Sequence, residues 1–101
     1  MVTILQVDFP LDGPFGNEMA QQFEDLATSI NHEPGFLWKI WTENESEQEA
    51  GGIYAFDNKT NAKKYLDMHS QRIKSMGVPY VNAKIFDVNE NLTKITKGRL
   101  D

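Results

Sequence analysis

The chain has 101 residues, 40% of them hydrophobic and 25% charged, a balance that builds one packed core and excludes a disordered or fibrous polymer. With 15 acidic against 10 basic side chains the formal net charge is −5, which repels phosphate backbones and anionic lipid surfaces, so neither nucleic acid nor a membrane is an expected partner. Cysteine is absent, no apolar run approaches the ~20 residues that cross a bilayer, and the start lacks a basic leader, so a cytoplasmic protein without disulfides or thiolate metal sites is expected.

Residues 2–9 alternate, with Leu5, Val7 and Phe9 on one side and Gln6 and Asp8 on the other, the period of a half-buried strand. A turn cluster over 10–16 carries Asp12-Gly13-Pro14. Met19, Phe23, Leu26, Ala27 and Ile30 then recur at helical spacing; Asn17 is the expected N-cap, and Pro34-Gly35 closes the segment. Residues 36–43 read as a strand rich in aromatic rings, with Phe36, Trp38 and Ile40 on one face and Leu37, Lys39 and Trp41 on the other. An acidic loop over 44–49 joins it to a strand at 52–56, close enough for an antiparallel hairpin. Gly51-Gly52 marks a close backbone approach or a bulge rather than a phosphate loop, since no Lys-Ser/Thr and no helix follows. A second helix over 59–75 buries Ala62, Leu66, His69, Ile73 and Met76, with Tyr65 beside them, and stops at Gly77. Residues 80–88 form a fourth strand, and Leu92 and Ile95 predict a helical turn in the polar tail.

This order, β-α-β-β-α-β, predicts one α+β domain over 1–101 of the ferredoxin-like kind, a four-stranded antiparallel sheet with two helices on one face. Two helices cover only one face, yet both faces of the strands carry apolar residues. A homodimer packed through the open sheet face is therefore expected.

His69 points from its helix toward the sheet, where it is either a general base or a core histidine satisfied by a backbone group. Trp38 and Trp41 are three apart on one strand and so face opposite ways; either one lines a cavity while the other meets the partner, or both are core, with the interface favoured for Trp41 and neither reading favoured for Trp38. Tyr54 and Tyr65 carry hydroxyls that need partners if buried and can donate to an oxygenated substrate, or else reach the surface. His32 and His69 have no acidic partner at metal-ligand spacing, so no metal is expected. The glutamates at 43, 45, 47 and 49 are expected in a solvated loop. The Asn-x-Ser/Thr matches at 44, 58 and 91 are expected to be chance, since no secretory leader is expected.

Several stretches together resemble the YdhR family of monooxygenases: Asp12-Gly13-Pro14-Phe15-Gly16, Ser29-Ile30-Asn31, Glu33 through Lys39, Trp41-Thr42-Glu43, Glu49 through Tyr54, and Ala83-Lys84 with Phe86 through Glu90. They span nearly the whole chain. The resemblance implies the dimeric α+β barrel superfamily, shared with antibiotic-biosynthesis monooxygenases, and a cavity between helices and sheet in each subunit. It further implies oxidation of an aromatic or polycyclic phenol by dioxygen with no cofactor. In that scheme Trp38 walls the cavity, Tyr54 and Tyr65 donate to an oxyanion, and His69 is the base. Two alternatives stay open. One is a non-enzymatic dimer that binds a small aromatic ligand or serves a stress response. The other is haem binding and degradation, which calls for an axial histidine later in the second helix, where residues 72–75 read Arg-Ile-Lys-Ser.

Overall fold

A computed structural model describes all 101 residues. Its elements are β1 (Thr3–Pro10), α1 (Gly16–Gln22), α2 (Glu24–Ile30), β2 (Phe36–Asn44), β3 (Glu49–Phe56), α3 (Lys59–Ser75), β4 (Asn82–Asp87) and α4 (Glu90–Ile95). The four strands form one antiparallel sheet in the order β2-β3-β1-β4, the expected α+β, ferredoxin-like arrangement.

The core lies between the sheet and α1 to α3. Leu5 and Val7 of β1, Tyr54 and Phe56 of β3, Ile30 of α2, and Ala62, Tyr65 and Ile73 of α3 are all buried in it. Tyr54, Phe56 and Tyr65 pack ring on ring at centroid distances of 5.0 to 6.2 Å, and Phe36 meets Phe56 edge-on at 6.0 Å. Each such side chain contributes roughly 1.5–3 kcal/mol by leaving water. α3 begins where the Asn58 side chain accepts from the Asn61 N–H at 2.9 Å, and it ends before Gly77, whose φ of +96° no helix continues.

The first helical stretch is two helices rather than one. It breaks at Phe23 (φ −104°, ψ 13°), whose ring stacks on Trp41 at 6.3 Å, although the Phe23 and Ala27 N–H groups still bond to Met19 and Phe23. Its N-cap position is Phe15, not Asn17, and no side chain of that residue caps it. Instead Glu43 reaches over from β2, and both of its carboxylate oxygens accept from the Gly16 N–H, at 3.1 and 3.2 Å. Glu43 therefore belongs to a helix terminus and not to a free loop. The hairpin loop shrinks to residues 45–48, because pairing runs on to Asn44↔Glu49, while β4 is shorter than its hydrophobic pattern predicts.

A bulge in β2 has the largest consequence. Phe36 pairs with Phe56 and Trp38 with Ala55, so Leu37 is an extra residue on that strand. Directly opposed residues share a face. Phe36, Lys39 and Trp41 consequently lie with Phe56, Tyr54 and Gly52 on the helix side, and Trp38 and Ile40 lie with Ala55 and Ile53 on the open side. Strict alternation from Phe36 fails at this residue.

The open side keeps an apolar character. Ile4, Trp38, Ile40, Ile53 and Phe86 share it, with Ile40 55% and Phe86 48% exposed. The C-terminal segment lies along it: the Trp38 Nε1–H donates to the Arg99 carbonyl at 3.4 Å, and Leu100 and Thr93 line a shallow cleft with Ile4 and Ile40.

Candidate active site

A cavity opens between the helix side of the sheet and the helices. Lys39, Trp41 and Thr42 of β2 and Ala50, Gly51 and Tyr54 of β3 form its floor. Met19, Phe23 and Leu26 of the first two helices wall one side; His69, Arg72 and Ile73 of α3 wall the other. The cavity is narrow: about 40 Å³ is open to the centre of a water molecule, within about 560 Å³ of space between atoms that includes its mouth. Met76 and Trp41 are among its most exposed wall residues, at 53% and 37%, and they mark that mouth.

The polar groups of the site come from two strands and one helix face. Tyr65, His69 and Arg72 stand at i, i+4 and i+7 on α3 and so share a side. The Tyr65 ring stacks on His69 at 5.0 Å, and the Tyr65 hydroxyl donates to the Tyr54 hydroxyl at 3.5 Å. Arg72 donates to the Tyr65 hydroxyl at 3.4 Å and to His69 Nδ1, which it approaches at 2.8 Å. From the sheet, the Lys39 ammonium lies 3.4 Å from the centre of the Trp41 ring and 4.5 Å from that of Tyr54, a cation–π arrangement on two faces.

Burial, then the charge of Arg72, pulls Lys39 down to about 7, so its amine is neutral in part at physiological pH. Burial, followed by Arg72 and Lys39, lowers His69 to about 3 and keeps its imidazole neutral. Burial pushes both tyrosine hydroxyls above their ordinary range, Tyr54 further aided by its neighbour Tyr65. All three of these groups are therefore hydrogen-bond donors and not anions.

Two expectations are corrected by this geometry. Trp38 is not a wall of the cavity: the Leu37 bulge turns it to the open face, and Trp41 takes the place inside. His69 is badly placed to be a base, because its Nδ1 lone pair accepts from a guanidinium that never gives up its proton, which leaves the proton on Nε2. No buried side-chain nitrogen or oxygen lacks a partner, and Nε2 makes no hydrogen bond, so Nε2–H opens onto accessible space. Tyr54 lines the cavity and Tyr65 stands behind it, joined through its hydroxyl. Lys39 and Arg72 were missed by sequence reasoning. The signals were a lone lysine within an aromatic strand and an arginine in phase with Tyr65 and His69 on one helix. No three of the His, Asp and Glu side chains converge as a metal site requires, and no helix is long and apolar enough to cross a membrane.

An antiparallel sheet with helices on one side and an aromatic, cation-lined cavity between them defines a ferredoxin-like α+β protein built around an interior pocket. Residues 4–99 match the family model described as "Putative mono-oxygenase ydhR", and the chain belongs to that family. Among solved structures it is similar to SnoaB, a cofactor-independent oxygenase from Streptomyces nogalater, with TM-score 0.61 and 14% identity over 87% of this chain and 93% of that one. It is similar to NE2512, a protein of unknown function from Nitrosomonas europaea, with TM-score 0.62 and 14% identity over 87% and 89%. It is also similar to the monooxygenase ActVA-Orf6 of Streptomyces coelicolor, solved with the ligand nanaomycin D, with TM-score 0.58 and 18% identity over 86% and 87%. At these identities the likeness is one of fold. No sequence among the curated proteins matches this chain.

Proposed function

We propose that the chain is a cofactor-independent monooxygenase that oxidises an aromatic or polycyclic phenolic compound with dioxygen in the cavity beneath α3. The observation that carries this reading is the pairing of a partly neutral amine, Lys39, with a set of fixed donors in an aromatic enclosure. Membership of a monooxygenase family and a fold shared with a cofactor-independent oxygenase support it.

The chemistry needs no electrons from outside the substrate. The CH2 of an anthrone-type ring, conjugated to the ketone through the flanking aryl rings, loses a proton to the Lys39 amine, giving an extended enolate whose oxygen is held by the donors Arg72, His69 Nε2–H and Tyr54 O–H. The electron-rich carbon passes one electron to dioxygen, and the radical pair closes to a C–O bond. The resulting peroxide takes a proton back from the Lys39 ammonium. Loss of water then leaves a carbonyl, so that CH2 and O2 become C=O and H2O. Entry of a fused ring system requires the Lys39 stem and the exposed Met76 to swing aside, since the resting cavity is narrow.

Oxygen uptake by metal-free, flavin-free protein offered an anthrone bearing phenolic groups tests this reading. The expected result is uptake matched by ketone product, lowered roughly 100-fold in Lys39→Met and less in His69→Ala. Binding of the anthrone with no uptake above the buffer rate would leave a ligand-binding module instead.

The same reading includes a homodimer through the open sheet face, supported by the exposed Ile40 and Phe86 beside Ile4, Trp38 and Ile53. Sedimentation at micromolar concentration is expected to give twice the chain mass, and Ile40→Lys is expected to halve it. A wild-type monomer at that concentration would end the dimer proposal.

A further inference from the structure

Two cationic side chains face the cavity and no acidic one does. Lys39 enters from β2 and Arg72 from α3, while α1 and α2 contribute only Met19, Phe23 and Leu26. The other titratable groups of the lining are Tyr54 and His69, both neutral at physiological pH. Tyr65 stands behind them, influenced from outside by Glu33. Glu24 and Glu43 line neighbouring clefts, and the carboxylate of Glu43 is occupied by the Gly16 N–H.

Lys39 has no counter-ion: the one ion pair of the chain joins Arg99 and Asp101 at its C-terminal end. Its ammonium rests on ring faces alone. Arg72 spends Nε and Nη2 on His69 and Tyr65, and its Nη1 makes no hydrogen bond. Two like charges in a water-poor, aromatic enclosure repel each other, and each keeps unused donors.

We propose that this cavity takes its aromatic ligand as an anion, an arene carboxylate or an ionised acidic phenol, with Lys39 and Arg72 as the counter-charges that select it. The inference rests on the oxygenase reading only for the location of the site. An anion relieves the repulsion between the two cations, whereas a neutral ligand leaves it in place and a cationic ligand adds a third positive charge. The flat walls of Trp41, Phe23 and Tyr54 receive the ring whatever its charge. An acidic phenol that arrives protonated reaches the same bound state by giving its proton to the Lys39 amine.

Isothermal titration at pH 7 with 2-naphthoate, 2-naphthalenemethanol and 2-naphthylmethylamine separates charge from shape. The expected order is anion, then alcohol, then amine, with the naphthoate at least about tenfold tighter than the alcohol. Lys39→Met is expected to narrow that gap, in protein whose melting shows that it is folded. Arg72→Gln is expected to narrow it as well, in protein whose melting shows that it is folded. Equal binding of naphthoate and alcohol, preference for the amine, a gap untouched by Lys39→Met, or failure of all three ligands to bind would each overturn the proposal. Anion preference without oxygen uptake from the anthrone leaves this inference standing and removes the oxygenase reading. Oxygen uptake indifferent to ligand charge does the reverse.

Discussion

Lys39→Met is expected to give a more stable protein with a poorer site. The folded environment holds Lys39 at about 7 against an ordinary 10.5, so at neutral pH the native state bears a buried amine that the unfolded chain would keep protonated and hydrated. Each pKa unit corresponds to about 1.4 kcal/mol. Because part of the stem reaches water, the native-state cost is on the order of 2–4 kcal/mol rather than the full figure. Methionine has nearly the same length, fills the same space over Trp41 and Tyr54, and loses a cation–π contact worth about 1 kcal/mol. The net gain expected at pH 7 is therefore about 1–3 kcal/mol, read as a higher urea midpoint at constant slope.

The pH profile identifies the cause. Between about 7 and 10.5 the unfolded chain binds a proton that folded Lys39 has released, so wild-type stability rises with pH across that window. His69, lowered from 6.5 to about 3, acts in the same direction further down, and stability falls as pH drops from 6.5 toward 3. Tyr54 and Tyr65, raised above their ordinary 10.0, act oppositely above that value, since the unfolded chain releases its phenolic protons first. Maximum stability is thus expected near pH 10, and the Lys39→Met profile should be flat from 7 to 10. A wild-type protein equally stable at pH 7 and pH 10 would show that Lys39 is not held in this way.

Gly51→Ala is expected to unfold much of what Lys39→Met stabilises. Gly51 sits opposite Asp8 in the pairing of β3 with β1, the two inner strands of the sheet. A Cβ there would overlap the carbonyl oxygen of Val7 and stand 2.8 Å from both the Val7 carbonyl carbon and the Asp8 Cα. These are backbone atoms in a strand bonded on both edges, so they cannot move without breaking pairs. The expected loss is on the order of 3 kcal/mol, a large share of the ~5–15 kcal/mol that holds a domain together. Gly52→Ala supplies the contrast. Its Cβ would meet Lys39 Cε at 2.5 Å and a Tyr54 ring carbon at 3.2 Å, and the first of these belongs to a flexible stem. It should cost about 1 kcal/mol and displace Lys39 from the cavity. Denaturation curves of the two variants that coincide would show that β1 and β3 can part at little expense.

Element order, the end of α3 at Gly77 and the doubly apolar sheet were readable from periodicity, because each depends on residues near one another in the chain. Tyr65 and His69 were readable as neighbours on one helix, whereas their meeting with Tyr54 was implied only by the family resemblance. The roles of Trp38 and Trp41 were not readable. Alternation assigns faces only up to the first bulge, and the bulge at Leu37 depends on how β2 registers with β3, which no local pattern encodes. At the break, Phe23 meets a ring from β2, a contact that no local pattern encodes either. No local pattern gives Lys39 or Arg72 a role; the fold does, by setting Lys39 against Tyr54 and Arg72 against His69.

The bulge also furnishes the molecule with two separate optical channels. Trp41 emits from beneath an ammonium group and against Phe23, at the mouth of the cavity, whereas Trp38 emits from the opposite surface of the same strand with its N–H bonded to the tail. Replacing either indole by phenylalanine silences one channel, so ligand entry and events on the open face are followed in the same chain without an attached dye.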